Sequence, residues 1–208
     1  MAKPILYGAD YSVYVRIARM TLEEKGIGYE LVPLDIFAAE DVPAWYLEHH
    51  PFGRIPAFEH DGFRLFETSA IARYIDEAFE GPELQPADPR GRARMSQIAG
   101  MLDAYGYRAM VWDVAVERLE KAPADEGLIA GGLRQAETVL KVLTSLKAKG
   151  SWLLGDGITL ADLHAAPIIG YFIKVAEGRD MLGRFADIQE WYARIAARPS
   201  FARTEKVA

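Results

Sequence analysis

The stretch His50-Pro51-Phe52-Gly53-Arg54-Ile55-Pro56-Ala57-Phe58 constrains this chain more than any other. Pro51 and Gly53 break any helix, and Phe52 leaves a large apolar ring on a loop. Pro56 then opens Ala57-Phe58-Glu59-His60, a run that alternates as a strand does. A proline at a loop-to-strand junction suits a cis bond, because X-Pro bonds alone tolerate that form at modest cost. Such a bond turns the N–H and C=O of Ile55 to solvent, an edge that can take an extended peptide by strand addition. Asp61-Gly62 is a strong hairpin turn that returns the chain as Phe63-Arg64-Leu65-Phe66. Glu67-Thr68-Ser69 stands where a helix begins, and helix N-termini bind anions such as carboxylates.

The residues before this stretch supply a βαβ unit. Pro4-Ile5-Leu6-Tyr7-Gly8 reads as a short buried strand ended by glycine. Ala9-Asp10-Tyr11-Ser12 is a loop, with Ser12 a preferred helix cap. From Val13 to Lys25 the apolar residues Val13, Ile17, Met20 and Leu22 recur at helical spacing, and Gly26 is a fitting stop. Residues 29–34 alternate as a second strand. A parallel pair needs a right-handed crossover. With the hairpin and a helix from about Thr68 to Phe79, the order is βαβ-ββα, a thioredoxin-like domain over residues 1–80.

Glu80 to Pro89 is rich in proline and glycine and marks the boundary, with a linker at 81–89. Beyond it strand signals vanish, and residues 90–208 read as an all-α helical domain. One long helix runs from Arg90 to about Lys121, with an irregularity near Gly106, and a second from Asp125 to Lys149 pairs with it. Thr159 and Asp162 make a capping box for a third, and Ile158 and Leu163 fit a hydrophobic staple. Asp187 to Arg198 is a further helix, stopped by Pro199.

Composition excludes several classes of function. The chain has 208 residues, half of them apolar, enough to bury a sizeable core. A net charge of −6 argues against nucleic acid or an anionic membrane as partner. The absence of cysteine removes disulfides, thiolate metal sites and a cysteine nucleophile together. The four histidines follow no HExxH pattern, so no metal is expected. The N-terminus has no signal-like apolar run, and the longest apolar stretch, about Ala165 to Ile173, falls short of the roughly 20 residues of a membrane span. A cytoplasmic protein is the expectation.

The loop, hairpin and Glu67-Thr68 together resemble the glutathione-site core of the cytosolic glutathione transferases, whose motif is Asn-Pro-x-Gly-x-(Ile/Val)-Pro followed by Glu-Ser. Here His50 stands for the asparagine and Thr68 for the serine. The helical capping motif around Thr159 and Asp162 is similar to that of the same family, so the resemblance runs through nearly the whole chain. The placement of Ser12 and Arg16 after the first strand is similar to serine-type, phi- or theta-like members, and a bacterial one is expected.

The resemblance implies a transferase that joins the thiolate of reduced glutathione to a hydrophobic electrophile, in a detoxifying role. It implies that the Ser12 hydroxyl stabilises the thiolate, with Tyr7 in reserve because tyrosine-using classes place theirs at that strand's end; Tyr11 and Tyr14 are further hydroxyls nearby. A thiol with a pKa of about 8.5 needs roughly 2.7 kcal/mol of thiolate preference to fall by two units. One charge-assisted hydrogen bond and a helix end can supply that. Glutathione would be held by Arg54, Ile55 and Pro56, with Glu67 on its ammonium and Thr68 on its γ-glutamyl carboxylate. The basic pair that some relatives use for the glycine carboxylate has its counterparts at Asp41 and Val42, which cannot do that task. The second substrate would meet Tyr11, Phe37, Tyr107, Val111 and Trp112. Phe52 would insert into a partner subunit, giving a homodimer. The competing readings are a non-catalytic interaction or stress module on the same fold, and another glutathione-dependent enzyme such as an isomerase, dehalogenase or peroxidase.

Overall fold

The computed structural model of the chain describes residues 3–37 and 42–205. Two compact units divide it: Met1–Glu83 with Pro199–Ala208, and Leu84–Arg198.

The first unit is the thioredoxin-like arrangement. Strand β1 (Ile5–Tyr7), helix α1 (Val13–Glu24) and strand β2 (Glu30–Val32) come first, then the short α2 (Ala44–Leu47). The hairpin β3 (Ala57–His60) and β4 (Phe63–Phe66) and helix α3 (Thr68–Ala78) complete it. The sheet order is β2-β1-β3-β4. β1 runs parallel to β2 and antiparallel to β3, and β3 antiparallel to β4. The hairpin turn has Asp61 at φ 50° and Gly62 at φ 79°, the pair of positive angles that a twisted two-residue turn requires.

α1 lies on the sheet because one side of it is apolar: Val15, Ile17, Ala18 and Leu22 are all fully buried. Gly8 permits the close approach, since a Cβ there would stand 2.4 Å from Val15 Cγ2. α1 and α3 are also tied by a buried ion pair, Lys25 Nζ to Asp76 Oδ1 at 3.2 Å, with the same ammonium donating to the Asp76 carbonyl. On the hairpin strand β3, His49 Nε2 and Arg64 Nε both reach Glu59 Oε2, at 3.2 and 3.0 Å. The His49 ring stands 4.6 Å from that of Tyr7, which anchors α2 to the sheet.

The second unit is all helical. α4 (Pro89–Met101) continues through π-type turns at Leu102–Gly106 and Arg108–Val116 into α5 (Glu117–Glu120). The irregularity expected near Gly106 is therefore a long stretch of wider turns. α6 (Glu126–Leu146) presses on it through Gly132, where a Cβ would meet Val114 Cγ2 at 2.8 Å and the Ala109 carbonyl at 2.9 Å. α7 (Leu160–Phe172), α8 (Ala176–Leu182) and α9 (Ala186–Ala196) follow. The carboxylate of Asp162 does more than cap α7. It accepts from Thr159 N and Oγ1, from Leu153 N and from Trp191 Nε1, all between 2.7 and 2.8 Å.

Two features depart from expectation. α8 was not foreseen in the sequence. Pro199, taken as a stop, instead opens α10 (Pro199–Arg203), and this segment packs with the first unit rather than the helical one. The reason lies on α1. Arg16 donates to the Phe201 carbonyl at 2.9 Å and to Thr204 Oγ1, while Arg19 donates to the carbonyls of Arg203 and Thr204.

Candidate active site

The strand register alone brings the candidate residues to one end of the sheet. Tyr7 closes β1 and pairs with Ala57, the first residue of β3, and with Val32, the last of β2. Ala57 pairs in turn with Phe66, the last of β4. The loop to Ser12, the Ile55-Pro56 segment, Glu67-Thr68 and the chain leading to Phe37 therefore all leave the sheet at the same edge.

Ser12 is the N-cap of α1, and its Oγ accepts from Val15 N at 3.4 Å. Among the described residues nothing accepts its hydroxyl proton. The cap reading thus holds, and it leaves the donor free for a ligand. Tyr7 is enclosed differently: its ring packs against Trp45, Tyr46 and His49. Burial, then the Glu59 carboxylate, push its hydroxyl above the ordinary tyrosine range.

The Ile55-Pro56 bond is cis. Ile55 makes no main-chain hydrogen bond to the described residues, so its edge stands open as expected. Arg54 is exposed, and its guanidinium has no partner among the described residues. Glu67, rather than Thr68, is the N-cap of α3, and no side chain caps that end. Thr68 is the first helical residue and is buried. Glu67 holds φ at 70°, a conformation that side chains resist, and its carboxylate is exposed. Residues held in such sparsely populated conformations cluster at active sites and ligand clamps. Beside it, His50 is almost fully buried with Nδ1 unpartnered. Burial lowers its pKa, against the raising pull of Glu67.

Tyr11 and Phe37 come together as a stacked pair with centroids 6.4 Å apart. Asp35 Oδ1 accepts from the Tyr11 hydroxyl at 2.5 Å and from Phe37 N at 2.9 Å. Tyr107, Val111 and Trp112 lie in the second unit on its π-type stretch; Val111 is buried and the other two half-buried. Phe52 is 73% exposed. Asp41 lies outside the described residues, and Val42 packs beside Gly53.

Sequence reasoning missed Tyr46. Its ring is fully buried in α2 and its hydroxyl donates to the Arg54 carbonyl at 2.6 Å. No local pattern announces that contact, which depends on the path of the loop. Among the described residues no group of three or more metal-binding side chains is assembled, and no helix is long and apolar enough to cross a membrane.

This arrangement has close parallels among known proteins. Residues 6–83 match the N-terminal domain model of the glutathione S-transferases, and residues 109–199 the C-terminal one. Glutathione S-transferase III, solved in its apo form, is 31% identical, with a TM-score of 0.84 over 98% of this chain and 95% of its own. The chain belongs to the glutathione S-transferase family. The enzyme class, a glutathione transferase, follows from the same matches. Among curated relatives, glutathione S-transferase F13 of Arabidopsis thaliana is 28% identical over 204 residues, covering 95% of this chain and 93% of that protein. A family member from Methylobacterium radiotolerans, solved with glutathione sulfonate, has a TM-score of 0.80 at 28% identity, covering 100% of this chain and 96% of its own.

Proposed function

We propose that this transferase binds reduced glutathione at the shared sheet edge and joins its sulfur to a hydrophobic electrophile, with Ser12 stabilising the thiolate. The observation that carries the reading is the Ser12 hydroxyl: its oxygen is engaged by Val15 N while its proton is uncommitted among the described residues, at the N-terminus of α1. A thiolate there gains a charge-assisted hydrogen bond and the favourable end of the helix dipole. Tyr7 is the weaker candidate because the aromatic residues of α2 enclose its ring.

The tripeptide would lie extended along Ile55 and pair with its main-chain N–H and C=O. Glu67 takes the ligand's ammonium and Thr68, at the uncapped start of α3, its γ-glutamyl carboxylate. Arg54 is free to meet the glycine carboxylate. The thiol proton leaves to solvent, the sulfur lone pair forms a bond to the electrophilic carbon, and that carbon releases its leaving group or opens its activated bond. Tyr11 and Phe37 supply an aromatic wall for the electrophile. The proposal includes a homodimer, for which the exposed Phe52 is the contact, a cytoplasmic setting, a detoxifying role and a phi-like bacterial source.

Titrating the ultraviolet thiolate absorbance of bound glutathione tests the reading. Wild type is expected to ionise the thiol below neutral pH, and Ser12→Ala to return it toward about 8.5. Equal titrations for the two proteins would remove Ser12 from the mechanism.

A further inference from the structure

Tyr46 places a polar group from a buried side chain against the loop. Its side chain is fully enclosed, yet the hydroxyl crosses from α2 to the binding loop and donates to the Arg54 carbonyl at 2.6 Å. This hydroxyl thus holds the main-chain carbonyl that immediately precedes Ile55. Burial keeps it protonated far above the ordinary tyrosine range, so it remains a donor at any working pH. α2 is itself held in place by His49 on Glu59 and on the Tyr7 ring.

We propose that Tyr46 is a positioning residue for glutathione: its hydroxyl clasps the loop at Arg54 and so presents the Ile55 N–H and C=O in the geometry that an extended tripeptide needs. This rests on the glutathione-binding reading of that edge. The physical argument is preorganisation. An edge with no main-chain partner among the described residues must be held by neighbours, or the ligand bears the cost of ordering it. Phenylalanine would fill the same space and leave the Arg54 carbonyl without its donor. The loop would then sample conformations in which Ile55 no longer faces the ligand.

The test is steady-state kinetics and calorimetry on the full-length protein carrying Tyr46→Phe, with 4-aminophenylalanine at position 46 as a second variant that keeps a donor. The expected result is a roughly three- to tenfold rise in KM and Kd for glutathione in Tyr46→Phe, the worth of one hydrogen bond. The rate at saturating glutathione, the KM for the electrophile and the pH at which bound thiol ionises should stay as in wild type. The donor-keeping variant should recover most of the glutathione affinity. A Tyr46→Phe protein that melts lower but binds glutathione unchanged would reduce Tyr46 to a packing residue and overturn the proposal. So would a fall in turnover equal to the loss of binding. Wild-type protein that bound no glutathione would overturn the transferase reading itself, and this proposal with it.

Discussion

Glu67 sits in a strained backbone conformation at the start of α3. Its φ of 70° costs an ordinary side chain about 1–2 kcal/mol, and glycine avoids that cost. Glu67→Gly is expected to raise the melting temperature, net of glycine's extra unfolded-state entropy, by an amount equivalent to about 1 kcal/mol. The same change removes the carboxylate proposed to hold the glutathione ammonium, so KM for glutathione should rise at least about tenfold. A lower melting temperature in the variant would show that the backbone is not strained there. His50 carries a different signature. Burial depresses its pKa below 6.5, so between that value and the folded pKa the unfolded chain binds more protons than the folded one. Stability therefore falls as pH drops through that window. His50→Asn should flatten this acid slope in chemical denaturation at a series of pH values, and an unchanged slope would place the titration elsewhere. Both residues stand in the motif legible in the sequence. Their strain and burial were not legible, because each depends on where β4 and α2 meet the loop.

At the scale of elements, what was legible followed from local chemistry. The Asp61-Gly62 turn, Ser12 as a cap and Asp162 beside Thr159 are each decided within a few residues, and each appears as read. What escaped is non-local. Asp162 also accepts from Leu153 N and Trp191 Nε1, joining α7, the loop before it and α9 through one buried carboxylate. Asp162→Ala would strand four donors, and since leaving even one buried donor unpaired costs about 1–3 kcal/mol, the loss should exceed 3 kcal/mol. Asp162→Asn keeps one carbonyl oxygen but turns an amide group toward donors, so it should fall between the two. Equal stability of Asp162→Ala and wild type in urea would mean that water replaces the carboxylate at no cost. Lys25 and Asp76 form the matching tie in the other unit. Removing either one leaves a buried charge alone, a loss of about 3–5 kcal/mol, whereas replacing both by apolar residues should cost far less. A double-mutant cycle separates these outcomes.

At the scale of the whole molecule, the chain leaves the first unit after Glu83 and returns to it at Pro199. Proline is both a helix stop and a favoured first helical residue, and sequence alone does not choose between these uses. Here the choice is made by α1, whose Arg16 and Arg19 offer donors to the carbonyls at the end of α10, with the Arg16 guanidinium 4.0 Å from the Phe201 ring centre. Ser200 on Glu24 and Arg203 on Glu23 add contacts along the same helix. These groups are partly exposed, so screening reduces the worth of each. Replacing Arg16 and Arg19 together by methionine keeps much of the apolar stem and removes the donors. A loss of about 2 kcal/mol is expected, which for a chain of this size lowers the melting temperature by roughly 4–8 °C. Trypsin should then cut first after Arg203, ahead of any site in α1, because a released segment is cleaved in proportion to the time it spends open. If the double variant melts as wild type does and resists cleavage there, the side chains buried with α10, Phe201 and Thr204, hold the return segment without the arginines.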